Sequence, residues 1–312
     1  MRIYYSTDIH GSERCFRKFL GAASFYKANV LILGGDITGK VMVPVVETTP
    51  GRFQAQLLGQ PAQAKDEQEL GELEKRIRFN GLYPYRCSAD EYRRLEQDEP
   101  YRTGVFRQLM RDEVARWMRL AEERLGGSGI RCFVMPGNDD EWAIDEALAS
   151  DRVVNPDGRL VDLDGWQMIS SAWTNRTPWA SPREADEEDL YAKLSSLAER
   201  LDPARPAIFN LHCPPHNTPL DRAPALTADL RVVSSGGEPR LASVGSTAVR
   251  RLIEERQPAL SLHGHVHESR AVARIGRTLC VNPGSAYSEG VIDGAVVELR
   301  HDRVKSCQLV SG

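Results

Sequence analysis

No long apolar run occurs in the 312 residues. The strongest apolar stretches, such as residues 30–33, fall far short of the roughly 20 residues a membrane span needs, and residues 2–6 read as a strand rather than a leader. The expectation is a cytoplasmic protein without membrane span or signal peptide. Basic excess is also lacking: 40 Lys and Arg stand against 44 Asp and Glu, for a net charge of −4. That argues against non-specific binding along nucleic-acid phosphates. The six cysteines, Cys15, Cys87, Cys132, Cys213, Cys280 and Cys307, form no CxxC pair and no tight spacing, so buried thiols in a reducing compartment are expected. Neither an internal repeat nor a low-complexity stretch is present. The length suits about two domains, or one large α/β domain with an insertion. Histidine is what the chain distributes unevenly: five of the seven fall between His212 and His267, and His10 follows Asp8 by two residues.

Residues 2–6 form a β-rich run, 12–27 have helical spacing with Ser12 as a candidate N-cap, and 29–33 form an apolar strand ending at Gly34-Gly35. Continuous apolar strands separated by helices imply a sheet covered on both faces, where ligands bind beyond the carboxyl ends of the strands. About a hundred residues separate Asp36 from the next such strand, 130–135, more than one crossover helix needs. Within them, 41–58 read as a hairpin turning near Pro50-Gly51, 63–79 as a charged helix with a solvated face, and 88–91 as a capping box. A helix over 103–125 belongs to the core crossover. Residues 41–100 then become an inserted hairpin and helical cap within one domain spanning 1–312, suited to gating substrates or to dimerisation. Further on, helices are expected over 141–149, over 183–200 with its cap near Ser181, and over 246–256. Strands are expected near Leu160, near Met168, at 207–211 and at 259–262, and the tail, 270–309, reads as strands joined by tight turns.

Strand ends carry the chemistry. In order they present Asp8 and His10, Asp36, Asn138, His212, then His265 and His267. Were the Asp-x-His and His-x-His segments extended, their paired side chains would point the same way and share one ion. Seven oxygen and imidazole donors exceed one tetrahedral zinc and suit two borderline metal ions about 3.5–4 Å apart. Asp36, between the pairs, is the natural bridge.

Singly these motifs are weak, but their order is specific: strand, Asp-x-His, strand, Gly-Gly-Asp, strand, Gly-Asn-Asp, strand, His, strand, Gly-His-x-His. Over about residues 1–40 and 125–290 the chain resembles the calcineurin-like metallophosphoesterase superfamily. The resemblance implies an α/β fold of two mixed sheets flanked by helices. It places Asp8, His10 and His267 on one metal, Asn138, His212 and His265 on a second, and Asp36 between the two. It implies a phosphoesterase of small monoesters or diesters acting through a hydroxide shared by two divalent ions, manganese first, with iron, nickel, cobalt or zinc also accepted. Nucleic acid is not the expected partner, and the alternative is an idle fold used as a binding or scaffold module.

The resemblance departs at one position: the family's Gly-Asn-His block reads Gly-Asn-Asp here. Asp139 itself and His216, in the Pro214-Pro215 loop, are the candidate acids, with helix capping and loop stiffening as their structural alternatives. Without an acid, diesters and activated esters are favoured. The remaining features have simpler expectations. His263 should point away from His265, His301 should lie in an exposed turn, and residues 282–285 should form a structural turn near the site. Trp173 and Trp179 are expected in the core or bordering the pocket, and Arg176 and Arg183 are candidates for phosphate oxygens.

Overall fold

Short runs buried on both faces set the architecture. In the computed structural model, which describes residues 1–148, 150–227 and 229–312, β1 (Arg2–Ser6) leads through α1 (Glu13–Phe25) to β2 (Val30–Gly34), parallel to β1. Ser12 caps α1 by accepting from the Cys15 amide. Then follow β3 (Met42–Thr49), β4 (Arg52–Leu57), β5 (Gln60–Ala64), α2 (Glu67–Phe79), β6 (Tyr83–Ser88) and α3 (Ala89–Gln97). The first two strands of this segment make the hairpin expected at Pro50-Gly51. Together β3 to β6 form a separate sheet in the order β5-β4-β3-β6, with β6 parallel to β3. Leu70, Leu73 and Ile77 of α2 cover its apolar face at Val43, Val45, Phe53 and Leu57. The helix expected from residue 63 starts later, because the Asp66 carboxylate accepts from the Glu69 amide at 2.8 Å and caps α2 there. A capping box between Ser88 and Glu91 starts α3, and α4 (Glu99–Leu125) returns the chain to β7 (Arg131–Met135).

The second half runs β8 (Val153–Val154), β9 (Leu160–Leu163), β10 (Trp166–Ser171), β11 (Thr174–Asn175), β12 (Glu184–Ala185), α5 (Glu187–Ala198) and β13 (Ala207–Leu211). Four short strands follow, β14 (Arg222–Pro224), β15 (Ser234–Ser235), β16 (Glu238–Pro239) and β17 (Leu241–Ser243). After them come α6 (Thr247–Arg256), β18 (Leu260–Leu262), β19 (Ala271–Ile275), β20 (Thr278–Asn282), β21 (Asp293–Arg300) and β22 (Arg303–Ser311).

Two six-stranded mixed sheets result, β22-β21-β1-β2-β7-β8 and β19-β20-β18-β13-β10-β9, each with four parallel strands. Strand alternation divides the apolar residues between three cores. Ile3, Tyr5, Val30, Ile32 and Phe133 meet Met168, Ile208, Leu260 and Val281 between the sheets. Their neighbours Tyr4, Leu31, Leu33 and Val134 pack under α1 and α4, where Phe16 and Trp117 stack with centroids 4.5 Å apart. On the far side Phe209 and Leu211 meet Leu190 and Leu194 of α5 and Val249 and Leu252 of α6. This is the two-sheet α/β arrangement expected from the sequence. Among the described residues, no helix is long and apolar enough to cross a membrane.

Two helices differ from expectation for one reason. Residues 141–148 form two short 3-10 turns, Trp142–Ile144 and Glu146–Leu148, and residue 149 lies outside the described residues. Arg183 is fully buried here, its guanidinium 3.9 Å over the Trp142 ring and donating to the Asp140 carbonyl at 3.2 Å and to Asp145 at 2.6 Å. Taking that carbonyl, it competes with the hydrogen bond a regular helix would make there. With Arg183 held inside, the next helix cannot start at 183, and α5 begins only after Asp186.

Candidate metal centre

Asp8 and His10 follow β1, Asp36 follows β2, Asn138 follows β7, His212 follows β13, and His265 and His267 follow β18. All are parallel strands, so their carboxyl ends lie on one edge of the molecule, and the loops beyond them converge. The loops after β1 and β2 pair outside the sheet through Asp8 N to Gly35 O at 2.9 Å, His10 N to Asp36 O at 3.0 Å and Gly11 N to Ile37 O at 2.8 Å.

Extended backbone is not what aligns these side chains. Asp8, His10, Asp36 and His265 have φ of 54°, 37°, 49° and 67°, in the left-handed region that non-glycine residues adopt at a cost. Left-handed turns, not strand alternation, therefore bring Asp8 and His10 into one group, and His265 and His267 do not share an orientation: His267 joins Asp8 and His10, and His265 joins Asp36 and His212, a correction to the strand-alternation argument. Four such residues meet at one locus, where the surrounding contacts must offset their backbone cost.

Three overlapping groups have ligand atoms within 4.8 Å of one another: Asp8, His10 and His267; Asp36, His212 and His265; and His10, Asp36 and Asp139. The Asp36 Oδ2 lies 3.3 Å from His212 Nε2 and 3.9 Å from His10 Nε2, between the first two groups. Asp8 Oδ1 lies 3.4 Å from His267 Nε2 and 3.8 Å from His212 Nε2. Asn138 is buried, and its Oδ1 accepts no hydrogen bond.

The surroundings hold these groups by their far sides. Thr7 Oγ1 and the His265 amide donate to the Asp8 carboxylate, and the Asp139 amide donates to Asp36 Oδ1 at 3.0 Å. His212 Nδ1 meets the Gly34 carbonyl at 2.9 Å, which leaves Nε2 buried and facing Asp36. His263, as expected, points elsewhere: its Nδ1 sits 2.9 Å from the Leu211 carbonyl and 2.8 Å from that of Cys213, bracing the backbone around His212. Ser285, in the expected turn, donates to the Asp8 carbonyl at 2.6 Å.

Electrostatics favour a cation at this locus. Burial alone would raise both carboxyls, yet the His212 charge and the hydrogen bond from His267 hold Asp8 at about 2, and the charge and hydrogen bond of His212 hold Asp36 far below the carboxylate range. Burial would likewise neutralise His212, but Asp36 and Asp8 raise it to about 10. A potential that keeps a proton on a fully buried imidazole also favours a divalent ion. His10 Nε2 and His267 Nε2 face each other at 3.1 Å, a contact of two lone pairs unless a proton or cation joins them. These buried donors fit metal ions of intermediate softness.

Asp139 and His216 fall in different places. Asp139 lies against His10 and Asp36, but it accepts from Ser181 Oγ at 2.7 Å and from Lys40 Nζ, the arrangement of an acceptor. His216 has its Nδ1 3.7 Å from Asp221, and Asp221 in turn accepts from the amides of Asn217, Thr218 and Gly245. That is the loop-stiffening geometry. Arg183 is sealed inside, which removes it as a contact for phosphate oxygens, and Arg176 pairs on the surface with Asp186 at 3.0 Å. Trp173 packs into the α5 and α6 core, whereas Trp179 is 62% exposed on the loop that carries Ser181.

Three contributors had no signal in the motifs, Lys40, Ser181 and Tyr287, whose ring centroid is 4.7 Å from that of His10; Asp140 stands where the resembled family's block carries an acid, but its role was not readable. Asp140 is fully buried and accepts from Gly137 N at 2.7 Å, Ile37 N at 3.0 Å, Thr38 N at 2.8 Å and Thr38 Oγ1 at 2.5 Å. Burial first, then Asp36, raises its carboxyl to about 6. It clamps the Asp36 loop to the Asn138 loop. Asp140→Ala is expected to lower metal affinity about 10–100-fold, as loss of an outer-shell partner does, and isothermal titration with Mn²⁺ measures it. Unchanged affinity would mean that the clamp is not needed to place the donors.

No protein-family model matches the chain. It is 30% identical over 156 residues to an uncharacterized protein, MJ1162, of Methanocaldococcus jannaschii, covering 49% of this chain and 64%, less than two thirds, of that protein. A solved structure, TT1561 of Thermus thermophilus, superposes with TM-score 0.55 over 100% of this chain and 97% of its own at 14% identity. Another crystal structure gives TM-score 0.59 at 16% identity, over 99% of this chain and 98% of its own. At such identities the likeness is one of fold. The two mixed sheets, the outer helices and the His and Asp clusters beyond the parallel strands are the arrangement that the resemblance to the calcineurin-like metallophosphoesterases implies.

Proposed function

We propose that the protein is a dinuclear metal-dependent phosphoesterase that hydrolyses phosphomonoesters or phosphodiesters. Asp8, His10 and His267 would hold one ion, Asn138, His212 and His265 the other, with Asp36 placed between the two groups. The observation that carries this reading is the position of Asp36 Oδ2, within 3.9 Å of imidazoles from both His/Asp groups. Two divalent ions in such a set supply Lewis-acid charge to phosphoryl oxygens and lower the pKa of a water.

The chain's own residues do the rest. Asp8 and Asp36 bring the negative charge that two dications need. Asn138 adds a carbonyl donor without adding charge, which leaves the centre positive enough for an anionic substrate. The Gly34 carbonyl fixes the His212 tautomer, and Thr7 with the His265 amide fixes the Asp8 carboxylate, so the donors are oriented before any ion arrives. Tyr287 packs on His10 and His267 and shields that side from water.

The test is hydrolysis of p-nitrophenyl phosphate and bis(p-nitrophenyl) phosphate by protein stripped with chelator and reloaded with Mn²⁺. Turnover of at least one ester, abolished by chelator and restored by metal, is the expected result, and the preferred ester separates mono- from diesterase. Turnover unaffected by chelator would contradict the reading.

A further inference from the structure

The centre is built from acids, imidazoles and one amide, and a single ammonium group is held on its edge by a centre carboxylate. Lys40 ends the loop after β2, four residues beyond Asp36, and its Nζ pairs with Asp139, whose carboxylate is grouped with His10 and Asp36. The Lys40 charge acts on His10 and is itself acted on by Asp36. The loop is anchored just before Lys40, where the Gly39 amide donates to the buried Tyr83 hydroxyl at 2.6 Å. Tyr83 belongs to β6, so the inserted sheet sets where Lys40 stands.

We infer that Lys40 binds the phosphoryl oxygens of the substrate at this centre, passing to them from the Asp139 carboxylate. The inference rests on the phosphoesterase reading and adds a substrate-binding residue to it. The Lys40 side chain is 55% exposed and that of Asp139 25% exposed. A pair so open to water is weakly held, so exchange to a phosphoryl group bearing more charge and several acceptor oxygens is favourable. The long flexible stem of lysine lets the ammonium make that move while its Cα stays fixed. Asp139 is then a positioning residue that keeps Lys40 over the centre before substrate arrives. On the loop that carries Ser181, Arg183 is sealed inside against Asp145, and Arg176 stands in the open paired with Asp186.

Lys40→Met and Lys40→Arg test this. Each variant is loaded with Mn²⁺, its metal content is measured by elemental analysis, and its affinity for inorganic phosphate is measured by calorimetry and as inhibition of nitrophenyl ester hydrolysis. Lys40→Met is expected to keep wild-type metal content and to bind phosphate about tenfold or more weakly, with a matching rise in KM. Lys40→Arg, which keeps the charge, should recover most of the affinity. Wild-type phosphate affinity in Lys40→Met would overturn the inference and leave the phosphoesterase reading standing. Loss of metal in Lys40→Met would also overturn it, by making the lysine part of site assembly. If the wild-type protein itself takes up no metal and binds no phosphate, the phosphoesterase reading falls and the inference with it.

Discussion

Asp36→Asn is expected to empty both metal positions and abolish ester hydrolysis while leaving the fold intact. The loss of metal affinity should exceed the roughly 100-fold that removal of an outer-shell partner costs, because Asp36 faces both His/Asp groups directly. The substitution changes little in shape, and the amide oxygen can still accept from the Asp139 amide, as Asp36 Oδ1 does at 3.0 Å. What it removes is one of the two buried negative charges that raise His212 to about 10. An amide nitrogen facing His212 Nε2 is a donor where a ligand is needed. Circular dichroism should match wild type, while elemental analysis and a nitrophenyl ester assay should both read near background. Two tightly bound metals and a full rate would remove Asp36 from the bridging position.

Gly137→Ala should be nearly as damaging, through sterics rather than charge. A Cβ at residue 137 would lie 2.8 Å from Asp36 Cγ and closer still to the Asp36 amide nitrogen. Its nearest neighbours are the Asp36 carboxylate oxygen and amide nitrogen, so Asp36 itself must move. Overpacking of this kind costs about 1–3 kcal/mol, and here the displaced residue is the shared donor. Urea unfolding with and without Mn²⁺ is expected to show lower stability in both conditions and loss of most of the metal-dependent gain. Gly21→Ala is the control, since a Cβ there meets nothing within 4 Å in the middle of α1. It should be neutral or stabilising by up to about 1 kcal/mol. A Gly137→Ala protein with the wild-type response to metal would mean that Asp36 is not held as tightly as the packing implies.

Most of the framework was legible in the residues. Runs such as Val30 to Gly34 are buried on both faces and read as continuous apolar strands, and a donor just past the end of a parallel strand needs only the sheet to bring it to the others. The inserted sheet was legible only at its hairpin. β5 and β6 are short and half exposed, and β6 pairs in parallel with a strand far away in sequence, which no local pattern reports. The donor set was readable, but its geometry was not: side-chain alternation suggested extended pairs, while left-handed backbone at Asp8, His10 and His265 sends His265 and His267 to different groups. Arg183 shows the same limit in another form. An arginine in a polar loop reads as a surface cation, yet this one is sealed against Trp142 and Asp145 and decides where two helices fail to form. Asp140 and Lys40 act through partners brought close only by folding, Asp140 through the Asp36 loop and Lys40 through Asp139.

On the proposed reading, one chain binds two metal ions through a donor set shared at Asp36. Metal content per chain tests it most directly, measured by elemental analysis after chelator treatment, reloading with Mn²⁺ and removal of free ion. Two ions per chain are expected in the wild-type protein and none in Asp36→Asn. A wild-type protein that retains no metal, or one whose metal survives the loss of Asp36, would contradict it.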